Sequence, residues 1–311
     1  MIFSPSRFLS LRQAAVQYST DSGTGRKALT DITLDIHQGE FVAVVGPNGS
    51  GKSTLASVLL GLCPLSRGSF TVQAGSGLRG VLQQPDTQVL GDTIEEEFAL
   101  TLGKQLDSEE QLQAYCREAL LQVGLRLSPG TPFSALSGGQ RQLVNLALAL
   151  SMQPDGLLLD EATAMLDPQI REQVLALVTK AHHEGMTVVW ITHRMEEAAA
   201  AQRIVALKAG ELAYDGPPEG FFYGDAEPLV PGAGAQEQGG RGSSSPPVPF
   251  TTAASPTPCE RLALEPPFVV RTVKALHALG VPISGQPLDA KQLASLLRAI
   301  ASAKGKEACP L

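Results

Sequence analysis

The sequence predicts an α/β fold around a mainly parallel sheet, with a β-rich N-terminal part and a small helical C-terminal extension. Three observations predict it. Apolar runs at Phe41–Val45, 157–159 and Thr187–Ile191 each end in a polar or glycine-rich turn, and helical segments follow the first two, the alternation of strands buried on both faces. Residues 46–53 read Gly-Pro-Asn-Gly-Ser-Gly-Lys-Ser, a P-loop of the form G-x-x-x-x-G-K-[S/T] set between a strand and a helix. Residues 225–258 are dominated by Pro, Gly and Ser, which reads as a flexible linker between residues 7–224 and a helical tail over 259–311.

The elements follow in order. Residues 8–18 and 29–36 show mixed strand alternation, with a turn at His37-Gln38-Gly39-Glu40. Residues 53–62 have helical composition. A further helix starts at Asp92-Thr93-Ile94-Glu95, and 108–123 carries Leu112, Tyr115, Cys116, Ala119, Leu120 and Val123 at helical spacing. Residues 136–152 form a helix opened by Ser137, and 169–183 another. Residues 204–207 and 211–214 flank Ala209-Gly210 as a closing hairpin. In the tail, 267–279 and 289–300 are helical; Asp289 and Gln292 make a capping arrangement. The part after the linker is expected to become ordered at about Glu260.

The net charge of -7 and the lack of a long Lys/Arg run argue against bulk nucleic-acid binding. No apolar run reaches the roughly 20 residues needed to span a bilayer, and residues 1–10 lack a signal-peptide core. The expectation is a soluble or peripheral protein whose membrane role, if any, goes through a partner. Cys63, Cys116, Cys259 and Cys309 form no C-x-x-C pair and read as free thiols in a reducing compartment.

The chemistry concentrates in three places. Gly46, Gly49 and Gly51 let backbone N–H groups close on phosphate oxygens, Lys52 brings positive charge to the β- and γ-phosphates, and Ser53 offers a hydroxyl to Mg²⁺. Asn48 and Thr54 complete the loop's nucleotide-binding set. The helix that follows points its positive end at the same anion. Asp160 and Glu161 end the 157–159 strand; Asp160 suits a Mg²⁺ contact and Glu161 suits polarising an attacking water. Leu136-Ser137-Gly138-Gly139-Gln140 opens a helix with a good N-cap and two glycines, a second anion site on the same chain.

With these motifs in this order, residues 7–224 resemble an ABC ATPase. The resemblance implies a P-loop NTPase of the ABC type with a β-rich N-terminal subdomain and a helical signature subdomain, binding ATP and Mg²⁺. It implies that Tyr18 stacks on adenine, that Gln83 is the Q-loop glutamine serving catalysis and the metal, that Ala164-Met165-Leu166-Asp167 is the D-loop, and that His193 is the switch histidine. Lys52 of one cassette would then face Ser137, Gly138, Gly139 and Gln140 of another, in a dimer with a second copy or a paralogue.

A narrower resemblance follows. Gln83-Gln84-Pro85-Asp86-Thr87-Gln88-Val89-Leu90 with Thr93-Ile94-Glu95-Glu96-Glu97 is similar to the Q-loop region of energy-coupling factor transporter ATPases. The tail from Pro266 to Pro282 resembles that group's helical extension, which contributes to dimer contacts. The implied function is ATP hydrolysis powering uptake of a vitamin or a transition-metal ion such as cobalt or nickel. The implied partners are a transmembrane coupling protein and a substrate-binding membrane subunit, with the chain on the cytoplasmic face of the cell membrane. The Q-loop and the Glu95–Glu97 helix would carry motion to the membrane partner. Two readings stay open: the ATPase of another ABC transporter, and a soluble ABC ATPase of DNA repair or translation. The tail and the Gln-Pro-Asp-Thr-Gln stretch favour the importer; a single cassette without sustained heptads disfavours the soluble reading. The chain departs from the family pattern in its short glycine-rich stretch at 73–80, its long proline-rich linker, and Val144-Asn145 in the signature helix.

Overall fold

The protein is represented by a computed structural model describing residues 6–18, 25–84, 88–103, 108–224, 256–281 and 283–307. The elements run β1 (Arg7–Tyr18), β2 (Arg26–His37), β3 (Phe41–Val45), α1 (Lys52–Leu59), β4 (Arg67–Val72), β5 (Leu78–Val81), α2 (Ile94–Leu102), α3 (Glu109–Gln122), α4 (Gly138–Ser151) and β6 (Gly156–Asp160). They continue with α5 (Pro168–His183), β7 (Thr187–Ile191), α6 (Met195–Ala198), β8 (Arg203–Lys208), β9 (Glu211–Gly216), α7 (Pro218–Tyr223), α8 (Pro258–Arg261), α9 (Phe268–Ala278) and α10 (Ala290–Glu307).

Two sheets form. One is antiparallel, in the order β2-β1-β4; the other has six strands in the order β5-β6-β7-β3-β8-β9, parallel throughout except for the β8–β9 hairpin. Period-2 alternation explains why β3 is apolar at every position. Val42 and Val44, with Leu158, Val189 and Ile191, face a core shared with β1, β2 and α1. Phe41, Ala43 and Val45, with Leu157, Leu159, Val188 and Trp190, face the core beneath the helices. Each buried aliphatic side chain contributes about 1.5–3 kcal/mol relative to exposure, so this doubly covered sheet is a stiff platform.

The helical layer begins at well-formed caps. Thr93 accepts from Glu96 N and the Glu96 carboxylate accepts from Thr93 N, a reciprocal box contributing about 1 kcal/mol. Ser108 caps α3 in the simpler way. Val144 and Asn145 of α4 are both buried in the helical layer, so the departure in that helix is absorbed by packing.

Two strands escape the sequence reading. β4 is a largely exposed edge strand without clear alternation, paired to β1 from Leu9↔Val72 to Ala15↔Arg67. β5 is four residues long, and its Gly80 lies against Leu60, the C-cap of α1: a Cβ there would sit 2.5 Å from Leu60 Cδ1. This glycine, part of the short 73–80 stretch noted above, is what lets the end of the helix approach the strand.

The start of the tail also needs correction. The 225–258 linker largely falls outside the described residues, but its last residues do not behave as linker. Thr257 accepts from Glu260 N and caps α8, whose first residue, Pro258, is buried. Order therefore precedes Glu260. Cys259, Leu262 and Val270 join the core beneath the helices, so the tail is seated on the cassette. Val269, Val273, Ile283 and Leu293 form a satellite core inside the tail. Asp289 Oδ1 accepts from Lys291 N and Gln292 N, while Gln292 Oε1 accepts from Leu288 N. Cys63, Cys116 and Cys259 are free; Cys309, Pro282 and 85–87 of the Q-loop lie outside the described residues. Among the described residues no helix is long and apolar enough to cross a membrane.

Candidate active site

Sheet order assembles the site. The neighbours β5, β6, β7 and β3 run parallel, so their carboxyl ends lie along one edge. Gln83 follows β5, Asp160 ends β6 with Glu161 next, His193 follows β7 by two residues, and the P-loop follows β3. Residues more than a hundred positions apart thus meet at the edge where ligands bind in open α/β sheets.

A cavity of about 670 Å³ opens there, lined among others by Tyr18, Asn48, Gly49, Gly51, Lys52, Ser53, Thr54, Gln83, Glu161 and His193. Glu161 is the hub of its polar wall. Gln83 Nε2 donates to Glu161 Oε2 at 3.1 Å, and His193 Nδ1 lies 3.5 Å from the same oxygen. Glu161 holds φ +50, a left-handed conformation that a non-glycine residue adopts at a cost of order 1–3 kcal/mol. Its N–H donates to Ile191 O and its carbonyl accepts from Ala164 N, which hold it there. Tyr18, half-exposed at the end of β1, places its hydroxyl 3.3 Å from Thr54 Oγ1.

The residues fit a magnesium nucleotide. Gly51 has φ +105, and a Cβ on it would stand 2.6 Å from Ala28 O, so the loop can hug β2 only with glycine there. Lys52 is buried and donates to Gly46 O and Pro47 O at 2.8 and 3.1 Å. Burial lowers its pKa from the ordinary lysine value, while Glu161 and Asp160 pull it back up. Asp160 Oδ1 is buried without a hydrogen-bond partner among the described residues. Burial, and next the charge of Glu161, push Asp160 up to about 6, with Lys52 opposing. A buried, unpaired carboxylate is costly without a cation. Among the described residues no three His, Cys, Asp or Glu side chains form a cation cage. A divalent ion would therefore depend on Ser53, Asp160 and phosphate oxygens, the donor set of a nucleotide-borne Mg²⁺.

The structure does not bring every expected site residue to this cavity. Ser137 and Gly138 are exposed at the start of α4, and Ser137 Oγ accepts from Gln140 N while Gln140 Oε1 accepts from Ser137 N. Gly138, Gly139 and Gln140 are likewise absent from the cavity wall, as is the exposed Asp167 at the N-cap of α5. The D-loop instead lies beside the signature: a Cβ on Gly138 would sit 3.5 Å from Met165 Sδ, and one on Gly139 3.3 Å from Leu166 Cδ2. Three lining residues were missed in the sequence, Arg26, Lys27 and Ala28 at the start of β2. They reach the cavity through pairing of β2 with β1, and no local motif marks them. Gln142 of α4 was also missed; its Nε2 donates to Leu82 O, just before Gln83.

The acidic run 95–97 is largely engaged within the chain. Glu96 belongs to the cap of α2, Glu95 Oε1 accepts from Gln113 Nε2, and buried Glu97 accepts from Leu90 N and Gly91 N at 2.7 Å each. These carboxylates shape the segment after the Q-loop before any partner arrives.

Residues 29–164 match the ABC transporter family. The chain is 32% identical over 310 residues to the energy-coupling factor transporter ATP-binding protein EcfA1 of Geobacillus kaustophilus, covering 95% of this chain and 98% of that one. It is 40% identical over 207 residues to EcfA1 of Levilactobacillus brevis, covering 63% and 74%. In fold it is similar to a dimeric ATP-binding cassette solved in a post-hydrolysis state with ADP and Pi, with TM-score 0.63, 28% identity, and 68% and 98% of the two chains covered.

Proposed function

This chain belongs to the energy-coupling factor transporter ATP-binding proteins, and on that premise we propose that its ATP hydrolysis powers uptake of a vitamin or a transition-metal ion. It is an ATPase of the ABC fold. In our reading it works as one of a pair of cassettes, self-paired or with a paralogue, beneath a transmembrane coupling protein and a small substrate-binding membrane subunit. That places it peripherally on the cytoplasmic face of the membrane. Residues 7–224 are the ATP-binding domain, and the tail is an extension of it.

The observation that carries the reading is the separation of two half-sites. The cavity of one chain holds Lys52, Gln83, Glu161 and His193, while Ser137 of the same chain is exposed away from it. ATP is held in the cavity by the P-loop backbone from Gly46 to Gly51, by Asn48, Lys52, Ser53 and Thr54, and by Tyr18 against the base. A partner's signature residues, equivalent to Ser137, Gly138, Gly139 and Gln140, close over the γ-phosphate, with Asp167 at the seam. Ser53 and Asp160, joined by the amide oxygen of Gln83, would hold a nucleotide-borne Mg²⁺, whose charge would neutralise the phosphates when bound. Glu161 orients the attacking water and takes its proton, and Gln83 and His193 hold its carboxylate in place. Work comes from the difference in ATP affinity between closed and open pairs.

The test is to solubilise native membranes in detergent and identify what co-purifies with the chain. Recovery of a transmembrane coupling protein and a small membrane protein is expected, and the ligand of the small protein names the substrate. Recovery from the soluble fraction alone overturns the importer reading.

A further inference from the structure

Among the described residues, two glutamates outside the cavity wall are buried: Glu97 and Glu197. Glu97 bonds to the backbone after the Q-loop. Glu197 bonds to the two turns that carry the catalytic groups. Its Oε1 accepts from Thr163 Oγ1 at 2.5 Å and its Oε2 accepts from Thr192 Oγ1 at 2.5 Å. Arg194 Nε stands 3.8 Å from Oε1. Thr163 is two residues after Glu161, and Thr192 immediately precedes His193. Both threonines are about 1% exposed, so water cannot readily replace the carboxylate as acceptor.

The surrounding backbone shows what the bridge holds. Thr192 N donates to Val44 O, on the strand that leads into the P-loop, and Thr192 Oγ1 accepts from Arg194 N. Leu166 N donates to Thr163 O, carrying the connection toward the D-loop. Glu161, two residues before Thr163 and bonded through its N–H to Ile191 O just before Thr192, is in its left-handed conformation, a state that persists only where the surroundings over-determine it. Two charge-assisted hydroxyl bonds to one carboxylate are short and directional, and they tie together a residue two positions after Glu161 and the residue just before His193.

We propose that Glu197 is a positioning residue for hydrolysis, setting the register of Glu161 against His193 by bridging Thr163 and Thr192. The inference rests on the reading of Glu161 and His193 as the hydrolytic groups. Glu197 itself does not line the cavity and acts only through the two turns.

The experiment is a double-mutant cycle on the full chain, reading kcat, ATP affinity and Tm for Glu197→Leu in wild-type and His193→Ala backgrounds. Glu197→Leu fills the space and removes both acceptors. The expected result is a kcat lower by about 10–100-fold, as for a small misplacement of catalytic groups, with ATP affinity held within about twofold. In the His193→Ala background the same change should cost less than about threefold, because the register it protects is already lost. Glu197→Gln keeps an acceptor and lets one threonine hydroxyl accept in turn, so it should restore kcat to within about fivefold of wild type.

A Leu variant with lowered Tm but unchanged kcat well below that Tm would show a strut and no more. An equal loss in both backgrounds would show that Glu197 acts independently of His193. Either result overturns the proposal. If the Leu variant does not fold, Thr163→Val and Thr192→Val enter the same cycle under the same criteria. Should Glu161→Gln and His193→Ala both turn over like wild type, the hydrolytic reading itself fails and this inference falls with it.

Discussion

The P-loop edge and the N-terminus of α4 are the two halves of the proposed nucleotide site, yet they are finished to different degrees. At the P-loop edge the side chains already meet one another: Lys52 on Gly46 O at 2.8 Å, Gln83 on Glu161 at 3.1 Å, His193 beside it at 3.5 Å. At α4, Ser137 and Gln140 bond to each other across their own helix cap, and Gly138 faces solvent. On the proposed reading the first region holds a nucleotide alone, whereas the second has only the D-loop residues Met165 and Leu166 beside its glycines among the described residues. The difference is what the proposed pairing requires: binding in cis and closure in trans. A helix cap is cheap to form and survives without a partner, whereas a buried carboxylate such as Asp160 has a standing cost that a bound cation relieves.

The largest expected effect breaks the chemistry and spares both regions' binding. Glu161→Gln should bind ATP and lower turnover about 10²–10⁴-fold, as for loss of a general base; steady-state hydrolysis beside nucleotide binding checks it. Near-normal turnover would remove Glu161 from that role. The next effect separates the regions. Lys52→Ala should disable the P-loop half-site and Gly138→Asp the signature half-site, each alone abolishing most turnover. An equimolar mixture should recover about a quarter of wild-type turnover, since half of the random pairs are mixed and each mixed pair has one intact site. No recovery in a mixture shown to associate would mean that the two regions do not meet across a pair.

A smaller effect tests the cost at the P-loop edge. Asp160 is raised from 3.8 to about 6 by burial and by Glu161. A carboxyl raised on folding contributes stability that is fully present below its unfolded value and is lost as pH rises through about 6. Asp160→Asn should therefore raise Tm at pH 7.5 without nucleotide, by about 2–4 °C for each kcal/mol relieved, and the gain should vanish toward pH 4. With Mg²⁺ and ATP added, wild type should gain more Tm than the variant. Thermal scans across pH with and without Mg²⁺–ATP read both. A gain that is flat with pH would show that the charge of Asp160 is not its origin.

The same contrast explains what was legible in the sequence. The P-loop, the acids after 157–159 and Ser137 announce themselves because phosphate chemistry demands those residue types at fixed spacing. The Gly51 and Gly80 contacts, the Arg26–Ala28 wall and the Glu197 bridge depend on which strand lies beside which, and no local pattern encodes that. β4 and β5 were missed for a related reason: an exposed edge strand and a four-residue strand containing glycine carry too little apolar alternation to register. The early start of the tail at Thr257 was hidden by prolines that occur in linkers and at helix N-termini alike. Sequence thus reveals groups that must touch the ligand and conceals groups that touch only each other.

The smallest expected effect sharpens the comparison at its cis end. Tyr18 lies at the tip of β1, 45% exposed, with its hydroxyl near Thr54. Stacking on a base from such an open position is worth about 1 kcal/mol, at the low end for an aromatic–base pair, or about fivefold in affinity. Tyr18→Leu should weaken ATP binding by that factor, and Tyr18→Phe should change it little, because the 3.3 Å hydroxyl contact is exposed. If nucleotide is first captured by the P-loop edge alone, the loss should be the same in wild type and in Gly138→Asp protein, where the signature half-site is disabled. Equilibrium titration of both backgrounds decides it. A loss that appears only where the signature is intact would mean that the base is gripped on closure of the pair, and binding would no longer be a property of one chain.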